Sequence, residues 1–471
     1  MNKYYQIAIF SYFGALLFVI AGSMPTCLVF CFIGMFYGAK GIVKTTNQLF
    51  SLSLVFWLFS FMYGVSMPFN ILIGAEIVSE VPLSIFTANI AAYVGCYCLA
   101  CIGLLLSLIT NRRRITNEDV TLNKFLIDCN SVKEFDRGAT LTALLTSVFS
   151  VINTIRADGL ILLFSGNKGL YQSAVSNLFL TMPSETTYYI FGMFAGLLIG
   201  TKDITNIKTG RYILKYTLLL LPFLATNLLL GMRGVLISAL LTGTCCYAVF
   251  QPFKSISRKM IVIFFLSYIV MVFLYSYRGA VPFIAEDIDI FIQFIKDNPE
   301  KFWQNINPSA SEFDSPAINF CVYFDKYGFT PDLKFGMTYL TGLAILIPAF
   351  LYPGAKPIQI TYLFRDEFFP HYAEYSDIAS TGFSSILEAY MNGGFVGICF
   401  VYYLLGKFLI NLDCKTSKNP SITNVLVRAV VITSCMRCSR VALGGLFSEF
   451  FYGVVITLFI YKIVSIKTVK G

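Results

Sequence analysis

The sequence predicts an all-α polytopic membrane protein with about twelve transmembrane helices and one large extramembrane loop. Three observations carry that prediction. The 471 residues are 56% apolar and 16% aromatic but only 13% charged, about half the charged fraction of a soluble domain. Mean hydropathy is +0.71. The apolar residues fall in long runs, and about 20 apolar residues make one helical crossing. This load excludes disordered, collagenous and coiled-coil classes and a cytosolic enzyme of ordinary composition. Cys27, Cys31, Cys96, Cys98, Cys101, Cys245, Cys246 and Cys399 all lie inside apolar runs and read as small hydrophobes, not as a disulfide framework. A single histidine, His371, argues against a His-ligated metal centre, and no cofactor is expected.

Taken in order, the runs place spans at about 6–22, 24–38, 49–67, 85–109, 138–156, 184–200, 212–230, 235–250, 260–277, 383–409, 423–436 and 445–463. The first resembles a signal peptide. A second apolar run follows directly and no clear small-x-small cleavage site intervenes, so it counts as a helix. Lys and Arg in the short loops set the orientation. With the N-terminus inside, the inner segments hold Lys40, Lys44, Arg112, Arg113, Arg114, Lys202, Lys208, Lys254, Arg258, Lys407, Lys415 and Lys418. The outer short loops hold little beyond Lys168, Arg233, Arg437 and Arg440. Both termini are therefore expected in the cytoplasm.

The chain then divides into membrane helices over 1–277, a large outer loop over 278–382 and further membrane helices over 383–471. Within the loop, Met337–Leu351 is apolar but short, and Pro348 and Pro353 interrupt it. A crossing there would invert every later segment, so it reads as an interfacial or re-entrant helix. The loop is too long for a mere connector, and its aromatic content argues for order.

Arg156, Arg233, Arg278, Arg437 and Arg440 sit near the outer ends of five predicted helices, where the charge bias disfavours them. Arginine presents a rigid donor fork that matches phosphate; several on one pocket would hold a pyrophosphate. Snorkelling to lipid headgroups is the alternative for any one of them. Arg233 lies in the tight turn Leu230-Gly231-Met232-Arg233-Gly234, whose glycines let a ligand approach. His371, beside Tyr372, can take a proton from a sugar hydroxyl near neutral pH or merely pack at the surface. Glu388 and Asn392 are four apart, hence on one helical face. An outer arginine is the natural partner for Glu388, and a structural bond pinning the helix is as strong a reading as catalysis. No phosphate-binding glycine loop, dinucleotide fingerprint or nucleophile elbow is present. The first outer loop, Gly22-Ser23-Met24-Pro25, lacks the acidic residue of metal-dependent lipid-linked sugar transferases.

Three features together resemble the Wzy-type O-antigen polymerases: the Gly-Met-Arg-Gly turn, the large late loop with Ile347-Pro348, Pro353 and Lys356-Pro357, and the segment Gly382–Gly397 containing Ser384, Glu388, Tyr390, Asn392 and Gly394. Ala349 stands after the Ile-Pro, where many members of that family carry arginine, so no phosphate role carries over there. The resemblance implies a GT-C-like architecture and metal-independent, inverting glycosyl transfer at the periplasmic face of a bacterial inner membrane. The growing glycan on undecaprenyl pyrophosphate would pass to the non-reducing end of a new undecaprenyl-pyrophosphate-linked unit. His371, Arg233, Arg278 and Glu388 are then the expected catalytic residues. Arg156, Arg437, Arg440, Asn392 and Tyr372 are expected to bind substrate. The expected partners are the lipid-linked oligosaccharide, membrane lipids and a polysaccharide chain-length regulator, with no nucleic acid. An O-antigen ligase shares the outer arginines and large loop. A lipid-linked oligosaccharide flippase instead predicts even loops and charge at mid-span.

Overall fold

The computed structural model of the chain describes residues 3–46, 50–74, 81–111, 129–156, 181–201, 209–229, 233–250, 287–306, 313–347, 351–352, 357–371, 382–418 and 421–469, with short pieces between 265 and 277. Sixteen helices and no strand occur among the described residues. They are α1 (Lys3–Ile20), α2 (Met24–Thr46), α3 (Leu52–Leu72), α4 (Leu83–Asn111), α5 (Cys129–Arg156), α6 (Thr181–Gly200), α7 (Thr209–Leu229) and α8 (Arg233–Phe250). Five shorter ones follow: α9 (Ile288–Asp297), α10 (Pro299–Ile306), α11 (Ser315–Tyr327), α12 (Met337–Ala344) and α13 (Ile360–Phe368). The last three are α14 (Ser385–Lys418), α15 (Ile422–Arg437) and α16 (Leu443–Val469).

Seven of these helices are long and apolar enough to cross a membrane, and two shorter apolar helices lie within α6 and α8. The fold is that of an all-helical, multi-pass membrane protein. Eleven of the twelve predicted runs coincide with a described helix, and the ninth, 260–277, lies mostly outside the described residues. Several helices outrun their apolar cores. α2 continues past Lys40 to Thr46, α5 starts at Cys129 ahead of Lys133 and Arg137, and α14 runs past Lys407 to Lys418. Lys and Arg are good helix formers, so a charge ends a hydrocarbon span without ending the helix.

Small residues let the spans approach closely, as expected where burial from water cannot drive association. A Cβ at Gly103 of α4 would strike the backbone of Cys399 in α14, and one at Gly196 of α6 would strike Gly243 in α8. The cysteines within these seams are free and mostly buried. One charged pair is also inside. Arg428 of α15 and Asp413 of α14, 2% and 5% exposed, lie 3.2 Å apart. Asp413 accepts the Leu52 and Ser53 backbone N–H groups at the start of α3, both at 3.1 Å, and Arg428 donates to the Phe50 carbonyl at 2.8 Å. A carboxylate at a helix N-terminus meets unsatisfied donors and a favourable dipole, which is how this charge is tolerated.

α11, α12 and α13 collect at the opposite end of the bundle, termed the loop end. α11 packs against α4 and α3. Its Phe320 ring stacks near Tyr93 of α4 (5.5 Å between centroids) and Tyr390 of α14 (5.4 Å). Asp314, at the N-terminal boundary of α11, accepts from Ser66 and Asn70 of α3 at 2.7 and 2.8 Å. Asn89 of α4 donates to Asp325 at 3.0 Å.

Candidate functional site at the loop end

The site is built around the short turn between α15 and α16, residues 438–442, which carries Arg437 and Arg440 at its edge. The Ser385 N–H donates to the Cys438 carbonyl at 3.2 Å and ties the start of α14 to this turn. The Ser384 hydroxyl caps α14 by accepting from Leu387 N–H at 3.1 Å. Arg440 is partly buried and runs alongside Gly382 and Ser315. Gly382 has φ +77°, a backbone state suited to glycine, and a Cβ there would strike the Ser315 hydroxyl. Phe364 of α13 packs edge-on against Phe383, centroids 5.3 Å apart, so α13 roofs the start of α14.

Glu388 is fully buried, one helical turn into α14. Its partners are not arginines. Thr338 Oγ1 of α12 donates to Oε1 at 2.9 Å, and the Leu443 N–H donates to Oε2 at 2.5 Å. Leu443 opens α16, so the carboxyl sits on a helix N-terminus, where backbone donors have no partner within the helix. This replaces the arginine partner expected from sequence: Arg437 pairs instead with Glu449 at 2.6 Å.

Asn392 completes the cluster. Its Nδ2 donates to the Glu388 carbonyl at 2.7 Å and to Thr338 Oγ1 at 2.6 Å, while Oδ1 accepts the Gly336 N–H at 2.8 Å. A carbonyl can only accept and an N–H can only donate, so the amide orientation is fixed by its neighbours. Asn392, Thr338 and Glu388 form a directed chain of hydrogen bonds. That chain pins α12 to α14 and α16. α12 also crosses α16 at close range, because a Cβ at Gly342 would collide with the Gly444 backbone. The Tyr452 hydroxyl then donates to the Leu346 carbonyl at 2.8 Å. The predicted 337–351 helix is thus eight residues long and ends before Pro348, which cannot supply a backbone donor.

Directly after Asn392, α14 breaks. Gly393 and Gly394 have non-helical backbone angles, with Gly394 at φ +59°. Tyr390, just before the break, donates to the Gly328 carbonyl at 2.7 Å and anchors the end of α11.

The other sequence-predicted residues distribute as follows. Arg156 is exposed at the last turn of α5. Arg233 opens α8, four residues beyond the end of α7; its side chain, Arg278 and Tyr372 lie outside the described residues. His371 is partly buried just beyond α13. Of the nine, the structure brings together Glu388, Asn392, Arg437 and Arg440 about one turn. Three residues at this end escaped the sequence reading. Thr338 carries no signal apart from its fold contacts. Asp314 is a carboxylate before Ser315-Pro316, a recognisable helix start. Arg365 of α13 is buried beneath an ion pair with Asp366, 2.6 Å apart; its Tyr362-x-x-Arg365 spacing places the guanidinium over the ring.

Electrostatics outside the spans are modest. Lys326 and Tyr327 donate to Glu367 at 2.5 and 2.8 Å. Burial works against the Glu367 carboxylate, but these bonds hold it below the usual carboxylate range, and the Glu367 bond raises Lys326. Burial raises Asp314 in spite of the Ser66 and Asn70 bonds.

No family model, curated protein or solved structure matches the chain.

Proposed function

We propose that the chain is a Wzy-type polymerase that joins lipid-linked oligosaccharide units at the periplasmic face of the bacterial inner membrane. The observation that carries this reading is the arginine-bearing turn at the loop end, held between a capped helix start and a roof of loop helices. A cationic turn at that end is suited to the departing pyrophosphate of an undecaprenyl-linked donor, where preorganised donors lower the barrier most. In the reaction, a hydroxyl at the non-reducing end of the acceptor unit attacks the anomeric carbon of the donor glycan. The bond from that carbon to the pyrophosphate oxygen breaks, and the hydroxyl proton passes to His371 or a loop carboxylate. Arg440 and Arg437, with Arg233 and Arg278, take the charge that builds on the leaving group. Glu388 and Asn392 are positioning residues, because their polar atoms are spent on α12 and α16. Tyr372 and Arg156 would contact sugar and lipid headgroup respectively.

The test is a gel of lipopolysaccharide from a strain deleted for this chain and complemented with wild type, Arg440→Ala or His371→Ala at matched membrane abundance. The expected result is core plus a single unit in the deletion strain, and a restored ladder with wild type alone. Bare core, with polymer accumulating on the lipid carrier, would instead make the chain a ligase. Single units retained on the cytoplasmic side would make it a transporter.

A further inference from the structure

Between α11 and α12 the chain presents an apolar edge that nothing among the described residues covers. Phe329 is 75% exposed and Phe335 80% exposed, and Met337 and Leu340 follow on the same side of the connection into α12. Phe335 is the one non-glycine residue with positive φ, 45°, among the described residues. The cause is local. The Lys334 N–H donates to the Met391 carbonyl at 2.8 Å and the Gly336 N–H donates to Asn392 Oδ1 at 2.8 Å. Two amides flanking Phe335 are therefore both fastened to the end of the first half of α14, and the residue between them is forced into the left-handed region. That geometry is unfavourable for a side chain with a Cβ, yet it turns a large ring outward.

The edge continues directly onto α14. Phe329 lies against Phe395, centroids 6.0 Å apart. Next along α14 come Val396, 80% exposed, and Phe400, 60% exposed, four apart on one face. α14 is long and apolar enough to cross a membrane, and that uncovered face is where lipid would lie. Exposed apolar side chains thus continue from a span onto a loop, with the paired Asp332 and Lys334 among them, a pattern that marks membrane interaction sites.

We propose that the 329–340 segment lies on the leaflet at the loop end, with the Phe329, Phe335, Met337 and Leu340 side chains inserted into its acyl layer. The ion pair of Lys334 with Asp332 then sits at the headgroup level, where a lysine stem can lie along the apolar surface with its charge in water. The insertion has a consequence for the site. Gly336 is bonded to Asn392 and Thr338 to Glu388, so the anchor fixes the depth of the Glu388–Asn392 cluster and its arginine-bearing turn relative to the membrane surface. The inference rests on α14 crossing the bilayer, not on the reaction proposed above.

The test uses the full-length protein in phosphatidylcholine vesicles. The chain has two tryptophans; Trp57 is buried and gives a constant background, and Trp303 is replaced by Phe. Into that background go Phe335→Trp, Phe329→Trp as a second reporter of the same strip, and Phe400→Trp as a control for α14 itself. The expected result is quenching of both loop reporters by lipids brominated near the headgroup, with little quenching by aqueous iodide. Phe400→Trp should be quenched best by lipids brominated deeper in the chain. Iodide quenching of both loop reporters with no effect of brominated lipid would overturn the proposal while α14 stays in the bilayer. If Phe400→Trp also escapes brominated lipid, the span itself is misplaced and the proposal falls with it. If neither quencher reaches the loop reporters, protein covers the strip, and the proposal is equally overturned.

Discussion

At the residue scale, Glu388 is a fully buried carboxyl held by its neighbours. Its oxygens meet Thr338 and the first amide of α16. Glu388→Ala strands those donors and should cost about 2 kcal/mol, seen as a lower melting temperature in detergent. Glu388→Gln keeps an acceptor for one of them and should cost less. If Glu388→Gln melts like wild type but makes no polymer, the carboxylate does more than position. Arg440 is the opposite case. Arg440→Ala should lower polymerisation about 100-fold or more at normal abundance, and Arg440→Lys should recover only part of it, because an ammonium lacks the planar fork. The sequence made Glu388 and Asn392 legible as a pair, since four-residue spacing is a local property. Their partners were not legible: Thr338 lies 50 residues before Glu388, and no periodicity reports a contact at that range. Arg428 carried a usable signal, a lone cation within an apolar run; its partner Asp413 sits among Lys407, Lys415 and Lys418 and reads as one more boundary charge.

At the scale of elements, the loop helices dock by two different means. α12 docks by shape. Gly342→Leu would place a side chain where the Gly444 backbone lies. It should release α12 while the spans stay folded, giving faster hydrogen exchange and proteolysis over 337–347 only. α11 docks by polar bonds from Asp314 to α3. Because burial raises the Asp314 carboxyl in the folded protein, its ionisation opposes folding. Its contribution is greatest below the ordinary carboxylate value of about 3.9 and is lost as pH rises through the raised value. Glu367 has the other sign, being lowered, so its contribution is present above the ordinary value and lost as pH falls. Melting curves of wild type and Asp314→Asn across acidic to neutral pH should diverge as pH rises, with wild type losing ground. The opposite trend would mean that the Ser66 and Asn70 bonds outweigh burial. The apolar helices themselves were legible from apolar runs. Their ends were not, because helix propensity ignores the hydrocarbon boundary that hydropathy detects, and α12 stopped short of the apolar run because Pro348 governs backbone, not hydropathy.

At the scale of the whole molecule, the two ends of the bundle are built differently. One end is locked by the Asp413–Arg428 pair across α3, α14 and α15. Asp413→Ala leaves a buried cation uncompensated and should cost about 3–5 kcal/mol, whereas replacing both partners by apolar residues should cost much less. A double-mutant cycle on melting in detergent measures the coupling. The other end carries Arg437, Arg440 and the loop helices, where polar groups are shared among several short elements.

The break at Gly393–Gly394 decides how those two ends communicate. As one rigid rod, the 34 residues of α14 would be about 51 Å long, well beyond a hydrocarbon layer of about 30 Å, and any tilt forced by a thinner or thicker bilayer would swing the far tip sideways like a lever. With a joint after Asn392, the lower arm can tilt to match its lipid while Glu388 and the turn beside it hold their bearing. Turnover should therefore be nearly flat across vesicles of increasing acyl length. Gly394→Ala, at a backbone angle that alanine resists, should make it rise and fall with bilayer thickness.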